Sequence, residues 1–191
     1  MILEKYIVGK FKTNCYIIGD KKTNEVALID AGDGYASVLS VIKEKGYKIK
    51  FLLITHGHPD HTSGITEVVN FTPIPIYINF ADREFPCNFK DFLDTNTVAN
   101  FTIGEHTLDI LKVPGHSNGS VCYICNNIIF SGDTLFKDTI GRTDLPGGYF
   151  NKLVTSIKDE LFKFNDNVRV LPGHGDETTI GHERANNPFL Q

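Results

Sequence analysis

The chain is organised around one stretch, Phe51-Leu52-Leu53-Ile54-Thr55-His56-Gly57-His58-Pro59-Asp60-His61. Its first part is an apolar run bounded by glycine and proline, which predicts a buried strand that ends in a turn. The turn carries three histidines and one aspartate within six positions. Imidazole and carboxylate are ligands that zinc, iron and manganese accept. The stretch therefore predicts part of a metal site at the end of a strand, in preference to a histidine-rich surface loop.

The composition favours a globular protein and argues against a nucleic-acid partner. The 191 residues are 41% hydrophobic, which is enough for a sizeable core, and we expect a single domain over residues 1–191. The formal net charge is -4, whereas nucleic-acid binding favours a basic stripe. Charges interrupt the first five residues too early for a signal peptide, and no stretch has the length of a membrane span. We expect a cytoplasmic protein that does not bind a membrane.

The cysteine pattern does not indicate a disulfide or a separate zinc site. The four cysteines are Cys15, Cys87, Cys122 and Cys125. Cys122 and Cys125 form a C-x-x-C within a strand pattern, where residues three apart point to opposite faces. The chain has no second C-x-x-C, so we interpret both as packing residues. Disulfides are not expected in a cytoplasmic protein.

Hydrophobic periodicity predicts an α/β protein in which strands outnumber helices. Besides the opening stretch, strands are predicted at residues 2–8, 14–18, 25–30, 74–78, 106–113, 121–125, 128–130 and 168–171. Helices are predicted from about residue 34 to Gly46, over 63–69 and over 149–164. Residues 80–100 have the least pattern. Four phenylalanines there either cover a pocket or fill the core, and we favour the core: Phe80, Phe85, Phe89 and Phe92.

Possible metal ligands follow four of the predicted strands. They are His56, His58, Asp60 and His61 in the first turn, and His116, Asp133 and His174 in the three later turns. Glycines in these turns let the backbone bend sharply, while the strand determines where each side chain points. If the strand ends share an edge, five histidines and two aspartates converge there. Seven ligands are too many for one tetrahedral ion, but they suit two ions bridged by Asp133.

The order of the motifs, His-x-His-x-Asp-His, Pro-Gly-His, Gly-Asp-Thr and Pro-Gly-His, resembles the metallo-β-lactamase fold superfamily. The resemblance covers nearly the whole chain. It implies an α/β fold of four layers, an αββα sandwich of two mixed β-sheets with helices on the outer faces. It also implies two divalent metal ions at one edge, zinc in the first place, with iron or manganese able to substitute. The implied ligands are His56, His58 and His116 for the first ion, Asp60, His61 and His174 for the second, and Asp133 for both.

Smaller features relate the chain to one branch of the superfamily. Asp133 stands where antibiotic-hydrolysing members usually carry cysteine, which argues against β-lactam hydrolysis. His58 stands where the flavodiiron branch has glutamate. Three segments are similar to small hydroxyacylglutathione hydrolases of the glyoxalase II type: Ser131-Gly132-Asp133-Thr134-Leu135-Phe136, Gly141-Arg142-Thr143-Asp144 and Asn187-Pro188-Phe189. The chain stops where the full-length hydroxyacylglutathione hydrolases continue into a helical glutathione-binding region, so the thiol carrier is left open.

The resemblance implies a dinuclear hydrolase that cleaves a small-molecule acyl-thioester with a metal-bound hydroxide. Two other enzymes remain as alternatives. The segment Gly141-Arg142-Thr143-Asp144 is also similar to persulfide dioxygenases, which are mononuclear iron enzymes of the same fold, and the substrate could be another ester such as a lactone. A non-catalytic module that keeps the metals for stability is a third hypothesis. The acyl group and the oligomeric state are not predicted.

Three residues near the ligands each have two interpretations. Asp60 either hydrogen-bonds the nucleophile as a catalytic residue or is a metal ligand only. Asp30 either accepts a hydrogen bond from a ligand imidazole, which we favour, or caps the helix that begins near residue 34. Arg142 either binds an anionic part of the substrate or pairs with Asp144. The two other histidines, His106 and His182, lie outside the pattern of strand ends, and we expect both to be structural or exposed.

Overall fold

The first β-sheet of the computed structural model, which describes residues 1–84 and 89–191, has six strands. In spatial order they are β1 (Ile2–Val8), β2 (Thr13–Gly19), β3 (Glu25–Ile29), β4 (Lys48–Leu53), β5 (Ile76–Ile78) and β6 (Leu93–Asp94). The strand pairs from β1 to β3 are antiparallel, and those from β3 to β6 are parallel. The first sheet is therefore mixed.

The second sheet also has six strands and is also mixed. Its strands are β7 (Asn100–Ile103), β8 (His106–Lys112), β9 (Val121–Cys125), β10 (Ile128–Gly132), β13 (Arg169–Pro172) and β14 (Thr178–Thr179). Between β10 and β13 in sequence, β11 (Leu135–Phe136) and β12 (Thr139–Ile140) form a separate hairpin. The spatial order is β14, β13, β10, β9, β8 and β7. In this second sheet, β10 and β13 are parallel, and the other neighbouring strands are antiparallel.

All the described helices except the shortest pack on the outer faces of the two sheets. The helices are α1 (Ala36–Lys45), α2 (Pro59–Thr62), α3 (Ile65–Phe71), α4 (Phe150–Ser156), which continues as a π-helical segment over Ile157–Leu161, and α5 (Ile180–Asn186). Helix α1 ends at Gly46, whose φ of 67° is left-handed and whose N–H reaches back to the carbonyls of the last turn. No helix of the described residues is both long and apolar enough to cross a membrane.

Alternation along the central strands divides the core into three apolar layers. In β2, Ile17 packs in the cluster that contains residues of α1 and α3, whereas Ile18 packs between the sheets. In β10, Phe130 lies between the sheets, and Ile129 packs in the cluster that contains residues of α4 and α5. The order of layers is thus helix, sheet, sheet, helix. This confirms the predicted αββα sandwich of two mixed sheets.

Most predicted elements are present, but several boundaries differ. Helix α2 begins directly after His58, because Pro59 has a preset φ that suits the first helical position. The helix predicted over residues 149–164 ends at Leu161. Strand β7 begins at the end of the unpatterned residues 80–100, and α5 was not predicted. Short elements of this kind contain too few residues for a clear hydrophobic period.

The side chains about which the sequence left a choice lie in the core. Phe92 is buried, and Phe80 and Phe89 are partly buried against the same cluster, which supports the core interpretation, while Phe80 and Phe92 also line a small surface pocket. Phe85 and Cys87 lie outside the described residues. The other three cysteines are buried and free, and Cys122 and Cys125 occupy different core layers, as predicted.

Candidate metal centre

The loop after β4 and the loop after β8 bring three histidines together. His56, His58 and His116 are buried, and one ring nitrogen of each lies within 4.8 Å of the others. His116 Nε2 is 2.8 Å from His58 Nδ1. Two ring nitrogens at this separation both point into the same small space, as ligands of one ion do.

A second group lies beside the first and combines helix α2 with the loop after β13. Asp60, His61 and His174 each place one ligand atom within 4.8 Å of the others. His174 Nε2 is 3.1 Å from Asp60 Oδ2 and 3.3 Å from His61 Nε2. Because α2 begins at Pro59, Asp60 and His61 leave the chain within the first helical turn.

Asp133 lies between the two groups, at the end of β10. Its Oδ1 is 3.3 Å from His61 Nε2, and its Oδ2 is 3.5 Å from His174 Nε2 and 3.7 Å from His116 Nε2. Its carboxylate therefore reaches both histidine groups. The structure brings all seven predicted ligand residues to one edge of the two sheets.

Burial and charge keep this centre in an unusual state of protonation. Burial lowers the pKa of His56 well below its ordinary value, and four neighbouring histidines lower it further. Burial also acts to lower the pKa of His61, but Asp133 and Asp30 raise it well above the ordinary value. Burial acts to raise the pKa of Asp60, but the hydrogen bond with His174 and the charge of His61 lower it to about 2. The centre therefore contains ionised carboxylates, a His56 imidazole that resists protonation and a His61 imidazole whose positive charge the carboxylates favour.

A divalent ion fits this set of donors. The buried Nε2 of His56 has no hydrogen-bond partner among the described residues, and such a group is costly unless something binds it. Neutral imidazole nitrogens and carboxylate oxygens are ordinary ligands for zinc, iron and manganese. The two groups of three, with the carboxylate of Asp133 between them, have enough donors for two ions.

The outer ring nitrogens orient the imidazoles toward the centre. His61 Nδ1 donates to Asp30 Oδ2 at 2.7 Å, and His116 Nδ1 donates to the carbonyl of Arg142 at 2.7 Å. His174 Nδ1 donates to the carbonyl of Phe11 at 3.1 Å. Because a carbonyl or a carboxylate can only accept, each Nδ1 carries a proton, and Nε2 is the nitrogen that faces the centre and would bind an ion once deprotonated.

The residues with two interpretations have definite contacts. Asp30 accepts from Thr55 N–H and Thr55 Oγ1 as well as from His61, whereas the N-cap residue of α1, Tyr35, makes no side-chain cap. Arg142 makes two hydrogen bonds to Asp144, at 2.7 and 2.8 Å, and also lines the cavity over the centre.

Two histidines were predicted to lie outside the centre. His182 contacts Asp138 at 2.6 Å, near Glu183. His106 begins β8 and pairs with Ile103. Neither belongs to the groups around Asp133.

A cavity of about 540 Å³ opens over the two groups. Besides the ligand residues, its described lining comprises Phe11, Pro59, Phe136, Arg142 and Leu145. The wall is therefore mainly apolar and carries one guanidinium. A cavity of this size accommodates a small organic molecule.

Sequence reasoning missed one buried carboxylate near the centre, that of Asp82. It accepts hydrogen bonds from Gly57 N–H, Ser117 Oγ and Gly119 N–H, at 3.1, 2.5 and 2.7 Å. A signal was present, since Asp82 follows a predicted strand just as the ligand residues do. The surrounding residues carried no other mark of a site.

The αββα fold and the histidine and aspartate clusters at its edge define a candidate metal centre of the metallo-β-lactamase type. The family model described as the metallo-beta-lactamase superfamily matches residues 8–174. The chain belongs to this superfamily.

Among similar proteins, the hydroxyacylglutathione hydrolase GloC of Haemophilus influenzae is 32% identical over 209 residues, which cover 100% of this chain and 98% of that protein. Among solved structures, the BLEG-1 B3 metallo-beta-lactamase has a TM-score of 0.92 and 31% identity, with 100% of both chains covered. The di-iron-bound form of TTHA1623 has a TM-score of 0.87 and 28% identity, with 98% of this chain and 100% of that chain covered. These likenesses confirm the predicted family and fold.

Proposed function

We propose that the protein is a dinuclear metal-dependent hydrolase that cleaves small acyl-thioesters. The observation that carries the proposal is the arrangement of two three-residue groups that share the carboxylate of Asp133 beneath one cavity. His56, His58 and His116 would hold the first ion, Asp60, His61 and His174 the second, and Asp133 both. When bound, two divalent ions would lower the pKa of a water molecule and polarise the substrate carbonyl.

The protonation of Asp60 suits an orienting role. With a pKa of about 2, its carboxylate is ionised at neutral pH and is a weak base. Its Oδ2 accepts from Thr13 Oγ1 at 3.4 Å and lies 3.1 Å from His174 Nε2. We therefore assign Asp60 to holding and orienting the attacking water by hydrogen bonding, in addition to its role as a ligand.

The cavity supports a thioester in preference to an amide. Apart from the proposed metal ligands, the described lining has no lysine, tyrosine, cysteine or carboxylic acid that could protonate a leaving group. An amine needs such an acid when it leaves, whereas a thiolate leaves without one. The sequence similarity to the hydroxyacylglutathione hydrolase GloC supports the same class of substrate.

Arg142 supports a substrate that carries a negative charge away from the thioester. Its side chain is 62% exposed, and it pairs with Asp144, which is 68% exposed. An ion pair at such a surface contributes at most about 1 kcal/mol, so a substrate carboxylate can compete with Asp144 for the guanidinium. The apolar wall formed by Phe11, Phe136 and Leu145 would contact the rest of the molecule.

The test combines metal analysis with thioester kinetics. The protein reconstituted with zinc should bind two ions per chain and should hydrolyse S-lactoylglutathione with a high KM. Asp133→Ala should abolish turnover and leave the circular dichroism spectrum native, because the residue lies at the end of a strand. His106→Ala is the matched control and should retain the rate. No turnover of any thioester by the fully metallated protein would refute the proposal.

Two other outcomes of these assays would favour a different enzymatic activity. A ceiling of one iron per chain with oxygen uptake on a persulfide would favour the dioxygenase alternative. The likeness to the BLEG-1 B3 metallo-beta-lactamase makes β-lactam hydrolysis a second candidate, although Asp133 argues against it at the level of sequence. A chromogenic cephalosporin measured beside the thioester distinguishes the two, and we expect the thioester to have the higher kcat/KM.

A further inference from the structure

We propose that Asp82 is a positioning residue that locks the loop of His56 and His58 against the loop of His116. The proposal rests on the metal centre of the proposed function. It concerns how the geometry of the first group of histidines is maintained, and Asp82 itself is not assigned as a ligand.

The contacts of Asp82 join two loops that are distant in sequence. Its Oδ2 accepts from Gly57 N–H at 3.1 Å and from Ser117 Oγ at 2.5 Å, and its Oδ1 accepts from Gly119 N–H at 2.7 Å. Gly57 stands between His56 and His58, and Ser117 directly follows His116. One carboxylate therefore bonds to both ligand loops next to their histidines.

The local structure holds this carboxylate in place. Asp82 ends a 3-10 turn, Phe80–Asp82, that follows β5. The side chain of Asn79 accepts from Ala81 N–H at 3.1 Å and caps the turn, and Asp82 N–H donates to the carbonyl of Asn79 at 2.9 Å. Asp82 is 1% exposed, so its carboxylate depends on Gly57, Ser117 and Gly119 for its hydrogen bonds.

The residue opposite Asp82 has no side chain, which permits the close approach. A Cβ atom added to Gly119 would lie 2.7 Å from Asp82 Cγ and 2.9 Å from Oδ1. Ser120 continues the contact, because its Oγ is 2.7 Å from Ser117 Oγ and accepts from Ser117 N–H. The loop after His116 is therefore shaped around the carboxylate.

Only an acceptor with two oxygens satisfies this arrangement. A carboxylate accepts at both oxygens, whereas an amide of the same shape replaces one oxygen by a donor. In Asp82→Asn, the amide nitrogen would face either Gly57 N–H or Gly119 N–H, and one of the two loops would lose its bond. His58 Nδ1 and His116 Nε2, now 2.8 Å apart, would no longer be held at that separation.

The first test measures metal affinity. Partners that orient ligands without touching the ion typically change affinity or activity by about 10–100-fold. Asp82→Asn should therefore bind one of its two Co²⁺ ions about 10–100-fold more weakly, in competition with a chromophoric chelator, and should keep the affinity of the other. The visible absorption spectrum of the more weakly bound Co²⁺ should also change, because the geometry of its ligands changes.

The second test needs no metal. Amide hydrogen exchange at Gly57 and Gly119 in the metal-free protein should be faster in Asp82→Asn than in the wild type. Gly119→Ala perturbs the same contact from the other side and should reproduce both effects. If Asp82→Asn does not fold, Ser117→Ala removes one of the three bonds and should show the same changes to a smaller extent.

Asp20→Asn is the matched control. Asp20 is also buried, and its carboxylate accepts from Lys22 N–H and Glu105 N–H and so joins two turns. It lies at the opposite end of β2 from Thr13, whose hydroxyl contacts Asp60. Asp20→Asn should lower stability and leave the affinity for both ions unchanged.

Three results would overturn the inference. Wild-type affinity for both ions together with unchanged exchange in Asp82→Asn would remove the positioning role and leave the proposed function intact. An equal loss of affinity in Asp20→Asn would show that the effect is one of general stability. A wild-type protein that binds no divalent ion would overturn the inference and the proposed function together.

Discussion

Replacing Asp30 by asparagine should disable His61 as a ligand without unfolding the protein. Asp30 is 1% exposed and accepts three hydrogen bonds, from Thr55 N–H, Thr55 Oγ1 and His61 Nδ1. In the variant, the backbone N–H of Thr55 can only donate, so it continues to bond to the amide oxygen. The amide nitrogen then occupies the place of Oδ2 and faces His61. An amide nitrogen donates, and Nδ1 must then accept. The proton of the imidazole moves to Nε2, the atom that faces the centre.

The expected loss of stability follows from the hydrogen bonds of Asp30. Losing one hydrogen bond to a charged group lowers the free energy of unfolding by about 1.5–3 kcal/mol. At about 2–4 °C per kcal/mol for a chain of this length, Tm should fall by about 3–12 °C. The protein remains folded if its total stability lies in the usual range of about 5–15 kcal/mol. With His61 in the wrong tautomer, the affinity of the site formed by Asp60, His61 and His174 for its ion should fall by at least about 10–100-fold.

Calorimetric titration with Zn²⁺ and differential scanning calorimetry of the metal-free protein measure the two effects separately. Asp20→Asn again serves as the control, because it should lower Tm and leave both metal affinities unchanged. The reasoning would be refuted if Asp30→Asn bound two ions with wild-type affinity. A variant that lost the ion of His56, His58 and His116 in preference to the other would also refute the assignment of Asp30 to His61.

Three further perturbations test other parts of the structure. Ile17→Ala should lower the free energy of unfolding in urea by about 2–5 kcal/mol with unchanged metal content, because Ile17 is fully buried away from the centre. Arg142→Ala should raise the KM for a carboxylate-bearing thioester by up to about fivefold and leave the KM for a neutral thioester unchanged. Burial acts to raise the pKa of Glu4, but hydrogen bonds from Lys45 and two tyrosines outweigh it, and the net pKa is lowered. The stabilisation is therefore complete above the ordinary pKa of about 4.3 and is lost as the pH falls through the folded value, so Glu4→Gln should flatten the acid side of a plot of urea midpoint against pH.

The sequence by itself determined the class of fold and which residues converge. The apolar runs are long enough to show a period, so β1, β2 and β9 were predicted close to their observed bounds. The ligand residues lie one to eight positions beyond the end of a strand, and so short a segment leaves them little freedom. Both signals act over a few neighbouring residues, which is why one sequence suffices to predict them. The motif order supplied the rest, by resemblance to a known family.

Only the tertiary structure decided which atoms support those ligands. The carbonyls that orient His116 and His174 belong to Arg142 and Phe11, 26 and 163 positions away. Every residue has a carbonyl, so side-chain identity does not mark these two. Asp82 likewise acquires its role from donors on two loops, at positions 25 to 37 residues away in the chain. Such contacts form when the strand ends meet at the sheet edge, and no local pattern encodes that meeting.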